Sequence, residues 1–289
     1  MFKLGAFTDE ISPDLARACR VCNEFGVTGA ELRRVWEAYP QTYTDAQVRD
    51  MKKILSDHGM VVCSLGSPFG KCELGSPAEV AQHLDWLRRF SDVALELGCS
   101  LVRGFAFWGH DLRGERPWDE MLKAFEPVPG ILEEKGTILG LENEAACLVG
   151  TAQHTRTFLD KLDCPRVKAI WDLANHVQDP GGEATPTFPD GYDLIKDDIV
   201  HVHVKDAVRL PEGRPNVFLG MGVCRWREQL QGLKNDGYEG FISLETHVNP
   251  DRFPPELTAK YGQYLSGEGR EPASKVCLAW LRDTVAALA

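Results

Sequence analysis

Four ionisable or ligating side chains each stand near the end of a separate apolar run in the second half of the chain. Glu142 lies in ILGLENE, Asp172 closes VKAIWD, His203 lies in IVHVHVKD and Glu245 is the acid of FISLET. Successive members are 30, 31 and 42 positions apart, near the roughly 30 residues of a strand–helix–strand unit. Side chains alternate along a strand, so His201 and His203 share one face while Val200, Val202 and Val204 share the other. By the same alternation Ser243 and Glu245 oppose Ile242 and Leu244. Gly140 and Glu142 likewise oppose Leu139 and Leu141, and Asp172 shares a face with Ile170. If the strands stand side by side in a closed parallel barrel, the four polar groups converge inside one rim. Three carboxylates and one imidazole are a ligand set for one divalent cation. Without a cation the carboxylates would raise one another's pKa. The chemistry is that of an enzyme.

Such a rim needs eight strands alternating with helices, and the sequence supplies them. Strands are expected at KLGAFT (3–8), TGAELR (28–33), MVVCSLG (60–66) and SLVRGFAF (100–107), followed by the four runs above. A helix is expected from Ser12 as N-cap with Pro13 at its first position. VAQHLDWLRRFSDVALELG (80–98) carries a 3.6-residue apolar stripe and ends on Gly98. NEFGVTGAEL, ALELGCSLVR, LEEKGTILGLE and LKNDGYEGFISLE repeat one phrase: helix, glycine, strand. The expected architecture is α/β, a single (β/α)8 TIM barrel over 1–289, with about 250 residues in the bare fold and the surplus in loops. Residues 247–272 are the longest stretch without a period. They follow the last strand, where they could serve as a lid.

Bulk properties narrow the partners. The 32 basic and 43 acidic residues give a net charge of −11, which disfavours a nucleic-acid partner. No run approaches the ~18 apolar residues of a membrane span, and the N-terminus reads as a strand rather than a secretory leader. Nine cysteines without framework spacing suggest a reducing, cytoplasmic setting. Cys19 and Cys22 form a lone C-x-x-C on one face of an amphipathic helix and read as buried packing residues.

LGAFTDEIS, GVTGAELR, LENE, WDLAN, HVHVKD and the closing LGMG…WREQLQGLKNDGYEGFISLE together resemble the xylose-isomerase-like TIM-barrel superfamily. Its members include sugar phosphate isomerases and epimerases, ketose 3-epimerases, inosose dehydratases and endonuclease-IV-type enzymes. The resemblance implies that Glu142, Asp172, His203 and Glu245 hold one divalent ion, Mn2+ first, with Mg2+, Co2+ or Zn2+ as alternatives. It implies that Glu142 and Glu245 are also the acid/base pair. Arg209 matches a substrate-contacting arginine six residues after the metal histidine. Two positions depart from the ketose 3-epimerases: Asn175, beside His176, stands in place of a substrate-contacting histidine, and Leu148 in place of a second glutamate. An endonuclease fits poorly, since those relatives use several more histidines and this chain has eight in all.

Around this set, Lys205 could polarise a substrate oxygen or form an ion pair with Asp206 or Glu245. Trp108 and His110, after strand four, could give a sugar-stacking wall and a proton donor. Glu31 and Arg33 could touch substrate but fit a structural ion pair better. LGMG (219–222) has too few glycines in register for a phosphate loop. The expected function is a divalent-metal-dependent sugar isomerase or epimerase acting on a keto sugar through an enediolate. The alternative is a lyase or dehydratase acting on a keto sugar, 3-keto-glycoside or keto-cyclitol, with His176, His110 or Lys205 as leaving-group acid. A non-catalytic sugar-binding subunit is the third reading. The expected partner is a small sugar or cyclitol, with neither nucleic acid nor membrane, and homo-oligomer formation is left open.

Overall fold

The computed structural model of the protein describes residues 2–248 and 253–288. Eight parallel strands close a barrel. They are β1 (Lys3–Phe7), β2 (Gly29–Leu32), β3 (Val61–Phe69), β4 (Leu101–Gly104), β5 (Ile138–Glu142), β6 (Val167–Asp172), β7 (Ile199–Val204) and β8 (Phe241–Leu244). Each strand pairs with its sequence neighbours, and β8 pairs with β1 to close the ring. Helices run outside between them, giving the expected (β/α)8 architecture. β4 stops at Gly104, short of the expected 107, and β3 runs on to Phe69.

The shared helix–glycine–strand phrase has one local cause. Gly26, Gly98, Gly136 and Gly237 all have φ between 71° and 80°, a left-handed conformation that ends the helix without a Cβ penalty. Helix starts are fixed by side-chain caps: Thr44 on Gln47 N, Ser76 on Glu79 N and Thr151 on His154 N. The second helix starts later than Ser12–Pro13 suggested. It runs Leu15–Glu24, and the Asp14 carboxylate accepts from Arg17 N. A separate turn of helix, Thr8–Ile11, follows β1 directly.

The barrel interior mixes very small residues with ionisable ones. A Cβ on Gly5 would meet Ser243 Oγ at 2.6 Å, and one on Gly140 would meet Ile170 at 2.6 Å. Ser243 and Cys63 fill the space beside Gly5, and Ile170 and Leu101 that beside Gly140, while Glu31, Arg103, His201 and His203 are buried. The apolar core lies in the shell between strands and helices, where Val202, Val204, Ile242, Leu244, Leu139 and Leu141 are buried. All nine cysteines are unpaired, and Cys19 and Cys22 are packed into that shell. After β7 the chain makes a small antiparallel ribbon, Asp206–Ala207 with Asn216–Val217, on the rim.

Of the 247–272 stretch, residues 249–252 lie outside the described residues. The remainder is less irregular than its sequence suggested. It contains a helix, Pro255–Tyr261, with Leu257 and Tyr261 buried. Arg270 Nη1 ties its far end to Glu10 Oε2 at 2.6 Å. No helix among the described residues is long and apolar enough to cross a membrane.

Candidate metal and substrate site

Register sets the four polar groups side by side. Asp172 pairs with His203 across β6–β7, and His203 pairs with Ser243 across β7–β8. Glu245 lies one residue past β8, its backbone N–H donating to Val204 O at 3.0 Å. Glu142 ends β5 on the other flank. One ligand atom from each of Glu142, Asp172, His203 and Glu245 lies within 4.8 Å of the others. None of the four is more than 3% exposed.

Two atoms of this quartet lack hydrogen bonds: Asp172 Oδ2 and His203 Nδ1. They lie 3.9 Å apart, and His203 Nδ1 is 3.1 Å from Glu142 Oε1. Their close partners are charged neighbours, Lys205 for Asp172 Oδ2 and Glu142 for His203 Nδ1, and three carboxylate oxygens and one imidazole nitrogen converging there fit a divalent cation.

The supporting contacts orient each group. The backbone N–H of Asn175 donates to Asp172 Oδ1 at 2.8 Å, so Asp172 also caps the helix Leu173–Gln178. Asn175 Nδ2 donates to Glu142 Oε1 at 3.0 Å, and Arg103 Nη1 reaches Glu142 Oε2 at 3.2 Å. Glu245 receives Arg33 at 2.8 Å, His247 at 2.8 Å and Lys205 at 3.0 Å. Each glutamate therefore carries one guanidinium. Both guanidiniums lie against the Phe7 ring, at 4.8 Å for Arg33 and 5.2 Å for Arg103. Such cation–π contacts contribute about 0.5–2 kcal/mol each when desolvated.

Beneath the quartet, Glu31 joins two histidines. Its Oε1 lies 3.2 Å from His203 Nε2 and its Oε2 lies 3.0 Å from His201 Nε2. A carboxylate on the far nitrogen fixes the imidazole's orientation and leaves Nδ1 facing the quartet. Ser243 Oγ, 2.8 Å from His201 Nε2, completes this layer. Glu31 and Arg33, read from sequence as an ion pair with each other, serve different partners. Glu31 holds the histidines, and Arg33 joins Asp9, Glu10 and Glu245.

The electrostatics follow from this wiring. Burial would raise Glu142, but His203 and Arg103 outweigh it and hold the carboxyl at about 2. Burial would also raise Glu245, yet Lys205, His247 and Arg33 keep it well below the usual range. Asp172 goes the other way: burial lifts it to about 6 against the pull of Lys205, with Glu142 and Glu245 adding to the rise. Burial would lower His203, but Glu142 and Glu31 raise it to about 10. In the metal-free protein this last shift is stabilising below pH 6.5, and the contribution is lost as pH rises through about 10. A cation must displace the His203 proton, so metal binding at pH 7–9 should release about one proton and strengthen about tenfold per pH unit. Calorimetry of Mn2+ binding in buffers of different ionisation enthalpy measures that release.

A cavity of about 360 Å³ opens above the quartet. Glu142, Glu245, Asn175 and Lys205 line it, together with Arg33, Arg103 and His247. Lys71, Glu144, Gln178 and Asn216 add polar walls, and Tyr39 and Phe105 add aromatic ones. Lys205 Nζ sits 3.0 Å from both Asp172 Oδ2 and Glu245 Oε2, so its ion pairs are with those two and not with Asp206. Asp206 instead accepts from the backbone N–H groups of Gly220, Gly222 and Cys224, which uses the amides of LGMG.

Several residues expected at the substrate are engaged elsewhere. Arg209 donates to Val177 O at 3.3 Å and Gly182 O at 2.8 Å. It satisfies one carbonyl at the C-terminal end of the Leu173–Gln178 helix and one in the turn that follows, and does not line the cavity. His176 is fully buried with both ring nitrogens used. Nδ1 accepts from Ala152 N at 3.1 Å, and Nε2 lies 2.8 Å from Thr185 O, to which it donates. Burial also lowers its pKa. His110 is exposed and sits 2.7 Å from Glu73 Oε2. Trp108 backs Lys71, whose Nζ is 5.4 Å from the indole ring, without lining the cavity. The aromatic wall is supplied by Tyr39 and Phe105 instead. Arg103, a charge inside the apolar run LVRGF, was readable as an inward polar residue. Tyr39 and Asn216 lie in segments with no period to betray them, and Gln178 closes a helix of only six residues.

Comparison with known proteins agrees with this fold. Comparison with curated protein sequences finds no match. Among solved structures the chain is similar to an L-ribulose 3-epimerase, at 19% identity and TM-score 0.71, covering 99% of this chain and 95% of that one. It is similar to the IOLI protein with a bound zinc atom, at 18% identity and TM-score 0.71, covering 99% and 98%. A probable 3-DHS dehydratase of petrobactin synthesis from Bacillus anthracis gives 17% identity and TM-score 0.71, covering 97% and 98%. The model of the xylose isomerase-like TIM barrel matches residues 19–266, and the chain belongs to that family.

Proposed function

We propose that the protein is a divalent-metal-dependent isomerase or epimerase of a keto sugar, with Glu142 and Glu245 as its acid/base pair. The observation that carries this reading is the pairing itself. Two ionised glutamates on opposite flanks of one cavity are each oriented by a guanidinium, and both belong to the four-residue ligand set. The neighbours described above include an epimerase and a dehydratase, which supports chemistry of this class. A divalent ion, Mn2+ in this proposal, would be held by Glu142, Asp172, His203 and Glu245, and would act as Lewis acid and template for the substrate carbonyl.

The chain's own groups then divide the work. Glu142 and Glu245 are ionised at neutral pH, so either can accept the proton beside the carbonyl. Their low basicity requires an acidified C–H, and the Lys205 ammonium and the Arg103 guanidinium line the cavity as electrostatic stabilisers of the enediolate. The other glutamate, ionised at rest, first takes a proton from solvent in the cavity and delivers it to the opposite side, while the first glutamate loses its proton to solvent, giving an epimer or an isomer. The lyase alternative needs a further acid. His176 and His110 are committed elsewhere, and Lys205 and His247, 3.0 Å and 2.8 Å from Glu245, are the groups facing the cavity that keep it open to test.

Proton exchange in D2O, followed by NMR on a panel of keto sugars with Mn2+ supplied, tests the proposal. Deuterium should enter substrate and product, with no unsaturated compound formed. An unsaturated product would assign the lyase instead. Absence of exchange across the panel would remove both.

A further inference from the structure

The cavity over the quartet does not end at Tyr39. A second cavity of about 440 Å³ adjoins it, and the two share Arg33 and Tyr39 as a common wall. We propose that this second lobe is a subsite for a second sugar or polyol unit. The substrate is then a two-unit glycoside whose keto-bearing ring sits over the quartet, a reading that rests on the function proposed above. A carbonyl on a ring carbon other than the anomeric one leaves that carbon free to carry the second unit.

Three features identify the occupant. Tyr39 is 44% exposed at the junction of the lobes, an aromatic face of the kind that packs on sugar C–H surfaces. It is presented by a tight turn in which Val35 and Ala38 exchange backbone hydrogen bonds of 3.0 Å. The two central residues, Trp36 and Glu37, have φ of 49° and 65°. Left-handed non-glycine residues cost about 1–3 kcal/mol each and concentrate where a side chain must be held for function.

The charges of the lobe are matched. Arg33 pairs with Asp9 at 2.8 Å, Arg34 with Glu37, and Arg270 with Glu10 at 2.6 Å. Paired cations disfavour a phosphate, and a wall so polar disfavours an apolar group. Asp9 Oδ1 and Arg34 Nε make no hydrogen bond among the described residues. Both atoms are buried, and the half-exposed Arg34 and Arg270 side chains that line the lobe are the polar groups a hydroxyl can reach.

The test compares 3-keto-cellobiose, with its carbonyl on the non-reducing glucosyl ring, with 3-keto-glucose, using Mn2+-loaded enzyme and deuterium exchange as the readout. The disaccharide should exchange with a kcat/KM at least about tenfold higher, the value of one good charged hydrogen bond. Arg34→Ala should abolish that ratio through KM for the disaccharide and leave exchange of 3-keto-glucose unchanged. Glu37→Gln, which keeps the shape of the turn residue, should lower the same ratio and serves where Arg34→Ala folds poorly. Equal exchange of both probes, unaffected by either variant, overturns the second subsite and leaves the isomerase reading standing. Exchange of 3-keto-glucose alone does the same. Exchange of neither probe overturns both.

Discussion

Glu142→Gln and Glu245→Gln should each lower turnover by about 10²–10⁴, the usual cost of losing a positioned acid or base. The amide keeps the side chain's shape and one oxygen. It cannot keep every partner. Glu142 accepts from Asn175 Nδ2 on one oxygen and faces Arg103 Nη1 on the other. Glu245 faces Arg33 and His247 on Oε1 and Lys205 on Oε2. In either variant the new NH2 group must face a donor, which costs about 1–3 kcal/mol of stability. Turnover should therefore be measured at saturating Mn2+ and below the variant's unfolding midpoint. Near-normal turnover under those conditions would make that glutamate a spectator and sink the acid/base pair.

Asp172→Asn should strip the divalent ion and abolish activity while the barrel stays folded. The substitution is chosen because Asp172 does two jobs. Its Oδ1 caps the Leu173–Gln178 helix by accepting from Asn175 N, and asparagine keeps that acceptor. Its charge neutralises Lys205, which retains Glu245 as partner in the variant. Asp172→Ala would lose the cap as well, at about 0.5–2 kcal/mol, and would confuse metal loss with local unfolding. Glu31→Gln should act more gently. It leaves the quartet intact but loosens the His203 ring, and should weaken Mn2+ binding by about 10–100-fold. Titration calorimetry gives the constants, and elemental analysis gives occupancy. Full occupancy in Asp172→Asn would remove the metal assignment.

The sequence by itself determined the barrel and the inward set. Alternation along a strand is a one-dimensional property, so His201 and His203 had to share a face opposite Val202 and Val204. The four polar strand ends had to meet once the eight strands closed. The recurring glycine fixed each helix end for the same local reason, its left-handed φ. The tertiary structure alone decided which loop side chains reach the cavity, because their direction depends on partners far along the chain. His176 is consumed by Ala152 and Thr185, and Arg209 by the carbonyls of Val177 and Gly182. Tyr39 enters the cavity wall through a left-handed turn that no period announces. Arg33 and Arg103 meet over one Phe7 ring from strands that are not neighbours. A loop has neither the pleat of a strand nor the pitch of a helix, so only long-range hydrogen bonds and packing can aim what it carries.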